Sequence, residues 1–159
     1  MQLNHCHMVV WIRSVSQIYW MYVKKYNLWK VKNKLRTCKI EKDDCLLFYV
    51  VGTCCFKGIY QVISDWHNSI SHDWLGPNNE KDEFNYQIKL KPLFLGEVNY
   101  LKLLPNLKFI VRKKSPGIYL QSNPSGVSNF GNPLEKVDYE LIKKGMNKVS
   151  NIDTLTNTE

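Results

Sequence analysis

Seven consecutive apolar residues, Cys45–Val51 (CLLFYVV), turn at Gly52–Thr53 into a second strand-forming stretch, Phe56–Ser64 (FKGIYQVIS). An unbroken apolar run of this length between turn residues reads as a strand buried on both faces. It is far too short to cross a bilayer. Glu41–Asp44 just before it reads as a tight turn, because Asp tolerates the left-handed backbone such a turn needs. Any fold of this chain has to be built around that pair of strands.

The flanking segments supply the rest. Met8–Arg13 (MVVWIR) is β-branched and aromatic and reads as a strand. Ser14 or Ser16 can cap a helix running to Tyr26, with Asn27 as its stop. Ile18, Met21, Tyr22 and the stem of Lys25 follow helical spacing and form the expected inward stripe. Leu28–Lys39 reads as a basic connection with a short helical turn. Residues 65–83 make a long polar loop, a length that in a compact domain points to function. From Phe84 the chain alternates, with Phe84, Tyr86, Ile88 and Leu90 on one side and Asn85, Gln87, Lys89 and Lys91 on the other. Leu95–Leu104 is less regular, Leu107–Val111 reads as a short strand, and a Gly/Pro/Ser/Asn-rich loop follows through Asn132. Leu134–Lys144 reads as a helix that Gly145 stops.

The expected fold is α+β: a twisted, barrel-like sheet of about five to six strands with a few helices packed outside. The expected organisation is a flexible extension over 1–7, one domain over 8–145 and a flexible polar tail over 146–159. A chain of 159 residues is long enough for one such core without staples.

The formal net charge of +8 is clustered. Lys24, Lys25, Lys30, Lys32, Lys34, Arg36, Lys39 and Lys42 face a single acid, Glu41, in their stretch. Lys102, Lys108, Arg112, Lys113 and Lys114 face none, whereas Asp65, Asp73, Glu80, Asp82 and Glu83 make the long loop acidic. Clustered base on one surface suits an anionic partner, though lysines also simply keep a surface solvated. Cys6, Cys38, Cys45, Cys54 and Cys55 form an odd set with no secretory signal before them. They read as free thiols of a reducing, cytoplasmic compartment.

Several segments, in order, resemble the EVE-domain family, its archaeal-type members above all. They are the opening strand MVVWI with Trp11, the helix ending in YNLWKV, the turn and strand KDDCLLFYV, FKGIYQVIS, YQIKLKPL, LGEVNYLKLLPNLKFI and the final DYELIKK helix. The resemblance covers about residues 8–145. It implies a PUA-like fold related to the YTH domain, which binds methylated adenine in RNA, and a role in reading modified bases in DNA or RNA. Three features depart from the family. Lys30 follows Trp29 where a small residue is usual, Asp43 stands at the turn glycine, and residues 115–132 are longer and lack a Trp-Ser pair.

Trp29 lies in the densest basic stretch, where an indole offers a stacking face for an extruded base and neighbouring cations hold the flanking phosphates. The resemblance places Trp29 where the YTH fold has the first wall of its aromatic cage; the alternative is a core anchor at a helix-to-strand corner. Val31, two residues on, is a further base-pocket candidate. Trp66 and Trp74 in the long loop, beside His67 and His72, are candidates for the opposing wall, or for a pin holding the loop to the barrel. Tyr49, Ser64, Asn85 and Tyr86 can supply edge hydrogen bonds to a base, or simply pack within strands. Lys30, Lys32, Lys34, Arg36, Arg112, Lys113 and Lys114 are the phosphate candidates.

No metal and no cofactor are expected. His5, Cys6 and His7 lie in the terminal extension, and the vicinal pair Cys54–Cys55 has no second CxxC. Phosphate-cradling and dinucleotide glycine patterns are missing as well. The expected partner is nucleic acid, RNA or DNA, with or without base modification, and not a membrane. A PUA-like module recognising RNA structure without a base pocket is the alternative. An enzyme using Cys45 or His72 is the third reading, without positive support in the sequence.

Overall fold

The computed structural model describes residues 8–31, 39–69, 84, 86–120 and 132–157. In it the apolar run becomes β3 (Cys45–Val50), buried along its whole length. It pairs antiparallel with β4 (Cys55–Val62), with a register shift between Phe48 and Tyr49. The 41–44 turn forms as expected, with Asp43 at φ 77°. Asp44 Oδ2 fixes it by accepting the Glu41 amide (2.9 Å) and the Trp11 indole N–H (3.0 Å).

β1 (Val10–Val15) lies parallel to β3 from Val10↔Cys45 to Val15↔Val50, two residues later than the MVVWIR reading. α1 (Gln17–Tyr26) begins at Ser16, whose Oγ accepts the Tyr19 amide, and ends at Asn27 in the left-handed conformation. The inward stripe is rotated from the expected one. Trp20 and Val23 are buried, while Ile18 and Met21 stay 36% and 61% exposed. The reason is Gly58 of β4: a Cβ there would stand 2.7 Å from Trp20 Cη2, so the missing side chain seats the indole on the sheet.

Leu28–Val31 is not a connection but β2. It pairs antiparallel with the start of β6 (Tyr86–Asn99), from Leu28↔Lys89 to Val31↔Tyr86. The alternating segment from Tyr86 and the first half of the less regular one, to Asn99, are thus a single strand of 14 residues. Pro92, which cannot donate to a ladder, is accommodated beside a register shift in the pairing with β4, where Leu93 is the extra residue. β5 (His67–Asn68) joins the other side of β6 at Gln87 and Tyr86. The order β1-β3-β4-β6-β2, with β5 on β6, curls into a half-barrel with helices packed around it. This is the expected α+β, barrel-like architecture.

The far side is covered by α2 (Tyr100–Leu103), 3-10 turns at Leu104–Asn106 and Pro116–Tyr119, and α3 (Lys136–Asn157). The expected strand over Leu107–Val111 is absent. Its amides at Lys108 and Phe109 go instead to the carboxylate of Asp138, each at 2.8 Å, and Asp138 is fully buried. Nor does Gly145 stop α3, which continues through it to Asn157. A Cβ at Gly145 would lie 2.8 Å from Val98 Cγ2, so this glycine brings the helix close to β6. Among the described residues no helix is long and apolar enough to cross a membrane.

Candidate nucleic-acid interface

Strand alternation divides the core in two. Val10, Ile12, Leu47, Tyr49, Phe56, Ile59 and Val98 cluster with Leu107, Ile110 and, from α3, Ile142. Trp11, Val15, Leu46, Phe48, Tyr60, Ile88 and Leu90 face α1, and Trp29 and Trp66 pack at the margin of this second cluster. Trp29 is half-buried on β2, which ends the strand order. Its ring meets Phe48 edge-on, with centroids 5.4 Å apart. Phe48 also meets Trp20 and Tyr60 at 5.6 and 5.5 Å. Trp29 thus packs on the core through Phe48 while its side chain remains half-buried.

The other base-pocket candidates separate. Val31 shares the Trp29 side of β2 and is buried. Trp66 borders the same cluster, and its indole N–H donates to the Ile40 carbonyl at 2.9 Å. That bond ties Trp66 to Ile40, a buried residue of the same cluster. Tyr49 must be removed from the group: it faces α3, packed against Phe56 and Tyr100 at 5.5 and 5.8 Å. Burial there pushes its hydroxyl pKa up, with Cys54 and Tyr100 adding to the shift. Ser64 is committed to the backbone, accepting the Lys89 amide at 2.8 Å and donating to the Asp65 carbonyl. Tyr86 lies in register with Val31 and Asn68. Trp74 and Asn85 lie outside the described residues, as do His72 and the His5–His7 group.

The phosphate candidates separate as well. Lys30 is only 2% exposed and donates from Nζ to Ser69 Oγ at 3.0 Å, so it braces β2 against the residue after β5 rather than offering a cation to solvent. It begins a polar row across the sheet. Lys30 pairs with Gln87, and Gln87 with His67. Gln87 Nε2 lies 2.8 Å from His67 Nε2, and His67 Nδ1 lies 3.1 Å from the Asp65 carbonyl. A carbonyl can only accept, so Nδ1 is the donor in the contact with Asp65. Lys32, Lys34 and Arg36 lie outside the described residues. Arg112, Lys113 and Lys114 are exposed, but they belong to the layer on the α3 side, because Leu107, Ile110 and Leu120 around them are in that cluster.

One residue escaped the sequence reading. Arg13 is 6% exposed and in register with Phe48, on the face that carries Trp11 and Val15. Its Nη1 donates to the Ile12 carbonyl at 2.7 Å, and its guanidinium lies 5.9 Å from the Trp11 ring. Desolvation lowers its pKa to about 10, which still leaves it charged at neutral pH. The signal was present: an arginine at an inward position of an otherwise apolar strand. Among the described residues, Cys45, Cys54 and Cys55 are free thiols, and no group of three or more His, Cys, Asp or Glu is placed to hold a metal.

No family model matches this chain. The UPF0310 protein PH1033 of Pyrococcus horikoshii is 28% identical to it, covering 86% of this chain and 98% of that protein. Among solved structures, it is similar to the YTH domain of Zygosaccharomyces rouxii MRB1 in complex with N6-methyladenosine RNA. The TM-score is 0.54 at 15% identity, covering 87% of this chain and 86% of that one. The Pho92 YTH domain in complex with m6A gives 0.56 at 13%, covering 87% and 84%. At such identities the likeness is one of fold: the half-barrel has the fold of these YTH domains.

Proposed function

We propose that this protein is an EVE-type nucleic-acid-binding module that stacks an extruded base, modified in its preferred ligand, on Trp29. The observation that carries the reading is the state of Trp29 itself. The indole is half-buried on the last strand of the sheet, held edge-on by Phe48, in a fold whose solved examples include YTH domains with methylated RNA. A stacked base contributes about 1–3 kcal/mol. An indole already fixed by its neighbours loses little freedom in meeting one. Arg13, opposite Phe48 in the β1–β3 register and on the face of that ring, adds positive potential to this side of the sheet. Lys32, Lys34 and Arg36, which directly follow Trp29 and Val31 in the chain, are the proposed phosphate contacts.

Titration with methylated and unmodified RNA and DNA oligonucleotides tests the reading. Trp29→Ala is expected to weaken binding by about 5- to 150-fold, the equivalent of one lost stack. Trp29→Phe keeps an aromatic contact with Phe48 and should lose less. The reading fails if a folded Trp29→Ala protein, checked by its melting temperature, binds as well as the parent.

A further inference from the structure

We infer that Lys108–Lys114 is a second polyanion-binding surface, on the opposite side of the sheet from Trp29, which grips a nucleic-acid backbone without reading its bases. The inference rests on nucleic acid being the partner, but not on the Trp29 stack.

Its backbone is held in place from beneath and from both ends. Leu107 and Ile110 are fully buried under α3. The Asp138 carboxylate takes the amides of Lys108 and Phe109. The Tyr119 hydroxyl accepts the Arg112 amide at 3.2 Å, and the Arg112 carbonyl accepts the Ser115 amide at 3.1 Å. On this fixed frame Lys108, Arg112, Lys113 and Lys114 are all exposed, and the chain from Leu101 to Leu120 contains no acid. Cations carried on a fixed backbone, with no acid in their own segment, suit a lattice of phosphates, because side-chain freedom and no backbone freedom is lost when they bind.

The surroundings favour a nucleic-acid strand over other anions. Val111 is 75% exposed on the crest between the cations, and it is one apolar side chain, too few to anchor a membrane surface. Beside the ridge lies a cleft of about 270 Å³, floored by Ile12, Phe109 and Leu134, with Lys108 and Glu135 also lining it. It is too small to take a folded peptide segment, but it can receive the edge of a sugar whose phosphate Lys108 holds.

The experiment is a salt titration of binding to a short unmodified single-stranded RNA. It compares the parent, Trp29→Ala and the triple variant Lys108→Glu, Arg112→Glu, Lys114→Glu. Lys113 is left in place because its Nζ donates to the Leu107 carbonyl. Each phosphate contact contributes about 0.7 to the slope of log K against log salt, so the triple variant should flatten it by about two and bind at least about tenfold more weakly at low salt. The same three positions changed to Gln should give a smaller loss in the same direction. Trp29→Ala should leave the slope unchanged. An unchanged slope in a folded triple variant overturns the inference. So does binding of polyglutamate as tight as that of RNA, which would assign the ridge to an acidic protein. A flattened slope in the triple variant together with full binding by Trp29→Ala supports this surface and removes only the stacking proposal.

Discussion

On one face of the half-barrel, α1 lays Trp20 on Gly58, and four rings, Trp20, Trp29, Phe48 and Tyr60, meet with centroids 5.4 to 6.1 Å apart. On the other, α3 and the 107–120 segment close over Tyr49, Phe56, Ile59 and Val98, and the trapped polar groups are backbone amides satisfied by Asp138. The ring-built face runs out to a half-buried tryptophan on the last strand, so part of its aromatic surface lies at the margin. The α3 face closes its apolar surface and presents cations outward. The same strands thus carry two different surfaces: an aromatic margin, where stacking is proposed, and a charged ridge, where phosphate binding is proposed.

Phe48→Ala should have the largest effect and break the first face alone. Phe48 is fully buried and touches three rings of the cluster, so its loss should cost about 3–5 kcal/mol. Denaturant unfolding reads the cost. Because Trp29 leans on Phe48, base stacking should weaken even under conditions where the variant stays folded, while the salt slope of RNA binding should not change. Equal losses in both would mean the faces are not independent.

Asp138→Asn probes the second face. The carboxylate accepts two amides, and an amide side chain turns at least one donor toward another. About 2–3 kcal/mol of stability should disappear. The ridge should loosen with it, so phosphate binding should fall more than Trp29 stacking. Amide hydrogen exchange at Lys108 and Phe109 is the direct check, and protection equal to the parent's would contradict the assignment.

Asp138 also shows why parts of the fold were hidden in the sequence. The β3–β4 pair, both ends of α1 and the Asp43 turn were readable because their determinants are local: an apolar run, a serine cap, an asparagine stop, an Asp in a tight turn. Leu107–Val111 has a strand's composition, but the partner of its amides is an aspartate about 30 residues away that no local pattern reveals. β2 was missed because Lys30, which looks like solvent-facing charge, is buried against Ser69. β6 looked broken at Pro92 because a bulge on its pairing edge cannot be seen in one strand alone. For the site, composition could nominate Trp29 and the two basic clusters. It could not show that Tyr49 and Arg112–Lys114 lie across the sheet from Trp29, since one register decides the face of every side chain.

Gly145→Ala should have a smaller effect, and its sign separates two roles. In a helix interior, Ala for Gly stabilises by about 1 kcal/mol. Here the new Cβ meets the stiff, β-branched Val98, and overpacking costs about 1–3 kcal/mol, so a net loss of about 1 kcal/mol is expected. Adding Val98→Ala should recover part of it, a coupling measurable in a double-mutant cycle. Stabilisation by Gly145→Ala alone would show that α3 does not need this close approach to β6.

The smallest effect should be invisible at neutral pH. Burial, with Asp44 adding to it and Lys143 opposing, raises the Cys45 thiol from 9.0 to about 11. Its neighbour Tyr139 is raised to about 12, again mainly by burial. A thiol that ionises more readily unfolded than folded leaves stability intact below pH 9 and removes it as pH rises from 9 through 11. Cys45→Val puts a strand-favouring apolar side chain of similar size in its place and takes this proton out of the balance. The variant should therefore melt like the parent at pH 7, within packing differences, and lose less of its melting temperature between pH 9 and 11. Tyr60, on the Trp29 face, is raised by burial from 10.0 to about 12, so its loss begins about one pH unit above that of Cys45 and the α3 face should lead alkaline unfolding. Parallel pH profiles for parent and variant would show that Cys45 carries none of that sensitivity.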